Sequence, residues 1–295
     1  MVEGHVLNNA QIRGLKVITM GDVGIVVDPA IDPRSPPTSQ EINVLVTGFG
    51  PFRSFDVNAS FLIAQSLPSS FTLPPKENQT LNGTGIPSPR QVRIHVHPEP
   101  IKVSYATIRA QLPVILDDYS RQHNGNPPDL IVHMGIASTR SYYSVETQAH
   151  RDNYRIPDVD GRSGYQDGEK IWRGKGFPPI LTPGPAEEIV PSRGDDIVQT
   201  SGLKMVPYPA NEHFLRIWKS LAPAETDLRT SNDAGHYACD FIFYTSLAQA
   251  LEEGRDRSIV FYHVPVTTDP ASIELGTKVA VALIKSMIKC WVDGE

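Results

Sequence analysis

The run Ser231-Asn-Asp-Ala-Gly-His-Tyr-Ala-Cys-Asp-Phe-Ile-Phe-Tyr-Thr-Ser-Leu247 carries a cysteine out of a glycine-containing turn and into a helical pattern. A thiol in the first turn of a helix meets unpaired N–H groups and the positive end of the helix dipole, both of which favour thiolate. The same N–H groups can hold an oxyanion. Cys239 is therefore a candidate nucleophile, set against the ordinary fate of a free cysteine as a small buried hydrophobe. Cys290, beside Trp291 in the last turn of the C-terminal helical pattern, has no such setting and reads as core.

A thiol nucleophile needs a base, and the base needs an orienting group. His263 closes the apolar run Ser258–Val264 just before Pro265, 24 residues after Cys239. One helix and one strand fill that interval, so both residues can return to the same end of a sheet. His133 also closes an apolar run and reads equally well as a core histidine making one hydrogen bond. Glu146 follows Val145 and precedes Ala149. Partly buried, it would orient an imidazole and stabilise its protonated form; otherwise it is a solvated glutamate. Arg155, before Ile156-Pro157-Asp158, reads from its neighbours as half of a surface ion pair. No His-x-x-x-His or Cys-x-x-Cys spacing occurs, so a zinc site is not expected.

Thr47-Gly-Phe-Gly-Pro-Phe52 follows an apolar run and invites a dinucleotide reading, but the third glycine is missing and Pro51 and Phe52 suit a phosphate cradle badly. Phe49 and Phe52 fit better as walls for a flat, weakly polar ligand, or as core under the loop.

Four strands are expected to position these residues: 43–47, 92–96, 129–134 and 258–264. Five helical patterns lie over 58–67 with Asn58 as N-cap, 105–123 adjusted at Pro113, 211–221, 239–253 and 270–291. The last has a broad apolar face that includes Leu275, Val279, Leu283 and Met287. Strands alternating with helices argue an α/β layered domain with a mainly parallel sheet and a site at the strands' carboxyl ends. Of the 26 prolines, 14 fall in three Pro/Gly-rich segments at about 1–41, 68–90 and 162–196, which read as loops or insertions. The organisation is thus an N-terminal extension over 1–41, with a stray strand at 21–27 and a linker at 29–37, and one decorated domain over 42–295.

Lys plus Arg number 27 and Asp plus Glu 33, for a net charge of −6. A mildly acidic chain without a basic stripe is a poor holder of nucleic acid. No apolar run reaches membrane-spanning length, and residues 1–20 lack a signal-peptide pattern. The sequons at Asn58, Asn78 and Asn82 read as chance. A cytoplasmic location with reduced thiols is expected.

Together these segments resemble the pyroglutamyl peptidase I (pyrrolidone-carboxylate peptidase) family of cysteine peptidases. In order they are Val46-Thr-Gly-Phe-Gly-Pro-Phe52 with Val57-Asn-Ala-Ser60; Leu130-Ile-Val-His-Met-Gly135 leading to Glu146; Asp233-Ala-Gly-His-Tyr-Ala-Cys-Asp240 with Tyr244-Thr-Ser-Leu247; and Phe261-Tyr-His-Val-Pro265. The resemblance covers about 42–160 and 197–290 and is closer to the animal-type branch. It implies a three-layer α/β/α sandwich around a mostly parallel sheet. It implies a Cys239–His263–Glu146 catalytic set, with Arg155 on the oxyanion side. Phe49, Phe52, Ile156 and Tyr237 would line a pyroglutamyl pocket in a metal-free, cofactor-free thiol peptidase acting on pyroglutamyl peptides. It gives no oligomeric state. Ala238 stands where a larger apolar residue is usual, Arg155 follows Glu146 slightly sooner than in bacterial members, and 162–196 is long enough to cap or obstruct the site. Two rivals remain: a catalytically inactive binding module of the same shape, and a nucleotide-binding α/β protein in which the Gly48 turn meets phosphate.

Overall fold

The computed structural model describes residues 41–74, 89–186 and 212–292. All lie in one unit that runs from Gln40 to Glu295. The expectations at 1–40, at Asn78 and Asn82, and in the later part of 162–196 fall outside the described residues.

The chain builds a seven-stranded sheet of order β2-β3-β1-β4-β9-β5-β8. The four central strands are β3 (Arg90–Val96), β1 (Glu41–Gly48), β4 (Leu130–Ile136) and β9 (Ile259–Val264), all mutually parallel. Every residue of β4 and β9 is buried, which is why both read as unbroken apolar runs. β2 (Ser70–Leu73) adds antiparallel to one edge. At the other edge β5 (Tyr143–Glu146) pairs antiparallel to β9 and parallel to β8 (Leu228–Ser231).

Side chains alternate between the two faces. Val44, Val46, Val132, Met134, Val260 and Tyr262 pack with α1 (Ala59–Gln65), α4 (Glu212–Leu221) and α6 (Pro270–Met287). Leu45, Ile131 and Phe261 pack with α2 (Tyr105–Gln122) and α5 (Ala238–Glu252). The result is the expected α/β/α sandwich. By the same alternation, Thr47, His133, Gly135 and His263 all face α5, the helix that opens at Cys239.

Several local expectations need correction. Residues 70–73, placed in a loop by their prolines, form β2. β5 and β8 are too short for a period-2 signal to stand out. α2 runs unbroken through Pro113. α6 ends at Met287 and passes into a π-helical turn over Ile288–Val292, and Leu275 is 37% exposed, outside its apolar face. The described part of 162–196 is structured as well. A π-helical turn at Tyr165–Glu169 and α3 (Lys170–Gly174) seat the fully buried Trp172 against Phe241 and Tyr244. β7 (Ile180–Leu181) then pairs with β6 (Ala149–His150). Among the described residues no helix is long and apolar enough to cross a membrane.

Candidate active site

At the end of β1 the chain turns through Gly48–Phe52 into α1. Gly48 is required there, because a Cβ would lie 2.7 Å from the backbone of Phe61. Asn58 caps α1 by accepting the Ser60 N–H, and its amide donates to the Gly50 carbonyl at 2.9 Å. Ser60 Oγ in turn accepts the Phe49 N–H. Asn58 is 4% exposed, so its sequon serves as a cap and not as a glycan acceptor. These bonds fix Phe49 over Phe261, and Phe52 beside Tyr237 with ring centroids 5.4 Å apart.

Across the opening, residues 154–162 are pinned to the start of α2. The buried Asp158 carboxylate accepts the N–H groups of Tyr105, Asp160 and Arg162. The hydroxyls of Tyr105 and Tyr237 donate to the carbonyls of Ile156 and Pro157. Ile156 is thereby held at the rim.

His263, next to last in β9, is 4% exposed. Its Nδ1 donates to Glu146 Oε1 at 2.8 Å. Glu146 enters on β5, which runs against β9, so it reaches His263 from a reversed strand. Arg140 clamps the pair. Its Nη1 donates to Glu146 Oε1 at 2.6 Å and to Ser144 Oγ at 2.8 Å, and its Nη2 donates to Ser231 Oγ and the Asp233 carbonyl. One guanidinium thus ties the end of β8 and the turn before Cys239 to the histidine–carboxylate pair. The turn reaches α5 through Gly235 and His236, both left-handed with φ of 93° and 45°. Cys239 follows, half-buried, in the first turn of α5. Gly135 faces its sulfur: a Cβ at that position would lie 2.9 Å from Cys239 Sγ.

All these elements enclose one cavity of about 370 Å³, lined by Phe49, Phe52, Ile156, Tyr237, Cys239, His263 and Arg140, with Arg53 and Ala238 also present. The sequence-derived set is brought together except for Arg155. Its side chain is exposed and does not line the cavity, because the 154–158 turn presents Ile156 inward instead. Two arginines line it instead, Arg53 and Arg140, and Arg140 is the one bonded to Glu146. Sequence reasoning missed it, since an arginine among serines and tyrosines ahead of a four-residue strand carries no periodic signal. None of the described residues of 162–186 lines the cavity, so this part does not cap it.

The electrostatics correct a second expectation. Burial pushes the Cys239 thiol well above the ordinary cysteine value, and the charges of Glu146 and Asp240 add to the effect; Arg140 and the helix N–H group oppose it without prevailing. Cys239 therefore rests as a thiol, and position at a helix start does not outweigh desolvation here. Burial raises Glu146 too. The hydrogen bond and charge of His263, with help from Ser231 and Arg140, more than reverse that, and the carboxyl ends below its ordinary 4.5. His133 Nδ1 lies 2.8 Å from Thr47 Oγ1, and complete burial lowers it to about 3, so it stays neutral. It is the core histidine of the two readings. A second histidine–carboxylate pair, His150 with the fully buried Asp240, lies outside the cavity lining.

No protein-family model matches the chain. Pyroglutamyl-peptidase 1 of Mus musculus is 27% identical over 246 residues, covering 83% of this chain and 89% of the mouse protein. Pyroglutamyl-peptidase 1 of Homo sapiens is 26% identical over 253 residues, covering 85% and 92% of the two chains. Pyrrolidone-carboxylate peptidase of Pyrococcus furiosus is 26% identical over 236 residues, 80% and 86% of each. Among solved structures, pyrrolidone carboxyl peptidase from Thermococcus litoralis superposes with a TM-score of 0.56 at 19% identity, covering 86% of this chain and 96% of that one. The resemblance to the pyroglutamyl peptidase I family, read from four motifs in order, is borne out in sequence over most of the chain and in fold.

Proposed function

We propose that the chain is a cysteine-type omega peptidase that hydrolyses the bond after an N-terminal pyroglutamyl residue, using Cys239, His263 and Glu146. The reading is carried by one observation: the 2.8 Å His263–Glu146 bond stands beside Cys239 on an aromatic-walled cavity, in a chain similar to pyroglutamyl-peptidases along 83% of its length.

With Nδ1–H committed to Glu146, Nε2 is the His263 nitrogen left to exchange a proton. Cys239 is a resting thiol, so its proton moves to that nitrogen as the sulfur attacks the carbonyl that joins pyroglutamate to the next residue. The first N–H groups of α5 have no intrahelical partner and suit the developing oxyanion. Arg155 is exposed and does not line the cavity, and Arg140 is occupied by Glu146. Imidazolium His263 then protonates the leaving amine, and Glu146 stabilises its charge. Water, deprotonated by the same nitrogen, cleaves the thioester and frees Cys239.

The specificity follows from the walls. Pyroglutamate is a flat five-membered lactam without a free α-amine. Phe49, Phe52, Tyr237 and Ile156 offer apolar surfaces to its faces, while polar groups at the wall can pair its edges. Ala238 lets the wall stand back from the ring. Proline lacks the lactam oxygen and would leave a donor unpaired, which a polar-edged site punishes heavily. A nucleophilic thiol works only while reduced, which supports a cytoplasmic location.

A fluorogenic pyroglutamyl amide tests the reading, with prolyl and leucyl amides beside it. Hydrolysis of the pyroglutamyl amide alone is expected. Binding of the lactam without turnover would favour the inactive module instead.

A further inference from the structure

Beside the cavity, but no part of its wall, three side chains converge. Asp240 is fully buried at the residue after Cys239. Its Oδ1 accepts the His150 N–H at 3.0 Å. Its Oδ2 lies 3.1 Å from His150 Nδ1 and 3.5 Å from His236 Nδ1. The two imidazole rings stand 4.5 Å apart, tilted by 47°. Among the described residues this is the group of three whose ligand atoms lie within 4.8 Å of one another. We propose that His150, His236 and Asp240 form a site for a divalent cation of the zinc type.

Zinc holds imidazole nitrogen and carboxylate oxygen at about 2.0–2.2 Å in a tetrahedron, which sets neighbouring donors about 3.3 Å apart. The two separations from Asp240 Oδ2 straddle that value before any ion is added. Two imidazoles and one carboxylate are a donor set suited to zinc, with a fourth position left open. The Asp152 carbonyl lies 3.1 Å from His236 Nδ1 and places another oxygen at the edge of the group. Access comes from the His236 side, since its side chain is 35% exposed while that of Asp240 is closed off. His236 is held in a left-handed conformation, uncommon for a non-glycine residue, with its ring turned to the carboxylate. Gln148 Nε2 sits 3.2 Å from His150 Nε2. When a cation takes Nδ1, the ring carries its proton on Nε2, and the Gln148 amide turns to present oxygen to it, giving up its 3.1 Å bond to the Asn232 carbonyl. That is the outer hydrogen bond that metal-bound imidazoles use for orientation.

The site escapes a search for paired histidines or cysteines. His236 and Asp240 stand four apart across a turn into a helix, and His150 arrives from a different strand. It does not share ligands with the cavity, so occupancy there is distinct from a metal captured by the Cys239 thiol.

The test is titration of the full chain with Co²⁺, read by visible absorption, and with Zn²⁺, read by competition with a chromophoric chelator. Wild type and Cys239→Ser should each bind one Co²⁺ with visible bands and no thiolate charge-transfer band in the near ultraviolet. His236→Ala should weaken binding by about 100-fold or more, since loss of even an outer partner costs 10–100-fold. His236→Asn, which tolerates the left-handed backbone, should do the same and guards against a folding artefact in the alanine variant. Loss of binding in Cys239→Ser with retention in His236→Ala, or no binding by wild type, would overturn the site. These readouts follow binding alone, so they stand or fall apart from the peptidase reading.

Discussion

His133 and His263 are near neighbours of one kind. Both lie near the carboxyl ends of adjacent parallel strands, face α5 and are buried. The register sets Gly135 opposite His263 and Phe261 opposite His133, so His133 sits two residues deeper. That offset decides their chemistry. His133 meets only the Thr47 hydroxyl, and burial holds it neutral. His263 meets an ionised carboxylate that Arg140 also clamps, and it borders the cavity that Cys239 lines. Burial alone makes a histidine inert; a buried counter-charge with an open face makes it a base.

The contrast can be broken at several points. Cys239→Ser should cost the most, at least about 10³-fold in turnover of a pyroglutamyl amide, because it removes the nucleophile on which the other groups act. His263→Gln should cost about 10²–10⁴-fold as the general base and acid is lost. Glu146→Gln should leave the fold intact and cost less, about 10²-fold, because the base survives without its orienting charge; an unchanged rate would remove Glu146 from the set.

Acid sharpens the comparison further. Glu146 titrates below its ordinary value in the folded chain. Its contribution to stability is therefore present above pH 4.5 and is lost as pH falls through the depressed folded value. Arg140→Met removes one of the charges that depress it, so acid unfolding followed by circular dichroism should shift to higher pH. The smallest effect on activity belongs to His133→Leu. It should leave turnover of the amide nearly unchanged and cost about 1–2 kcal/mol in urea unfolding, through the unpaired Thr47 hydroxyl.

The central fold was legible because β1, β4 and β9 are buried on both faces and so declare themselves as apolar runs. The short edge strands were not: β5 and β8 have four residues each, and β2 hides among prolines. Cys239, His263 and Glu146 could be named from type, place and resemblance, and the walls Phe49, Phe52, Ile156 and Tyr237 likewise. Arg140 could not, because its importance lies in four acceptors, two on β5 and two at the end of β8 and the turn after it, that meet only in the fold. Arg155 was misplaced for the matching reason, since a turn decides which of two adjacent side chains points inward. The thiol's protonation was also beyond sequence. The helix start and the neighbouring Asp240 are visible in the chain, but the burial and the approach of Glu146 are not.

Catalysis through Cys239 requires a pyroglutamyl thioester on its sulfur. Mixing the enzyme with a pyroglutamyl ester or amide, quenching in acid and measuring intact and peptide masses looks for that species. A gain of one pyroglutamyl group on the peptide that contains Cys239 is expected, absent in Cys239→Ser together with turnover. Hydrolysis that persists in Cys239→Ser, or an acyl group found on another residue, would contradict it.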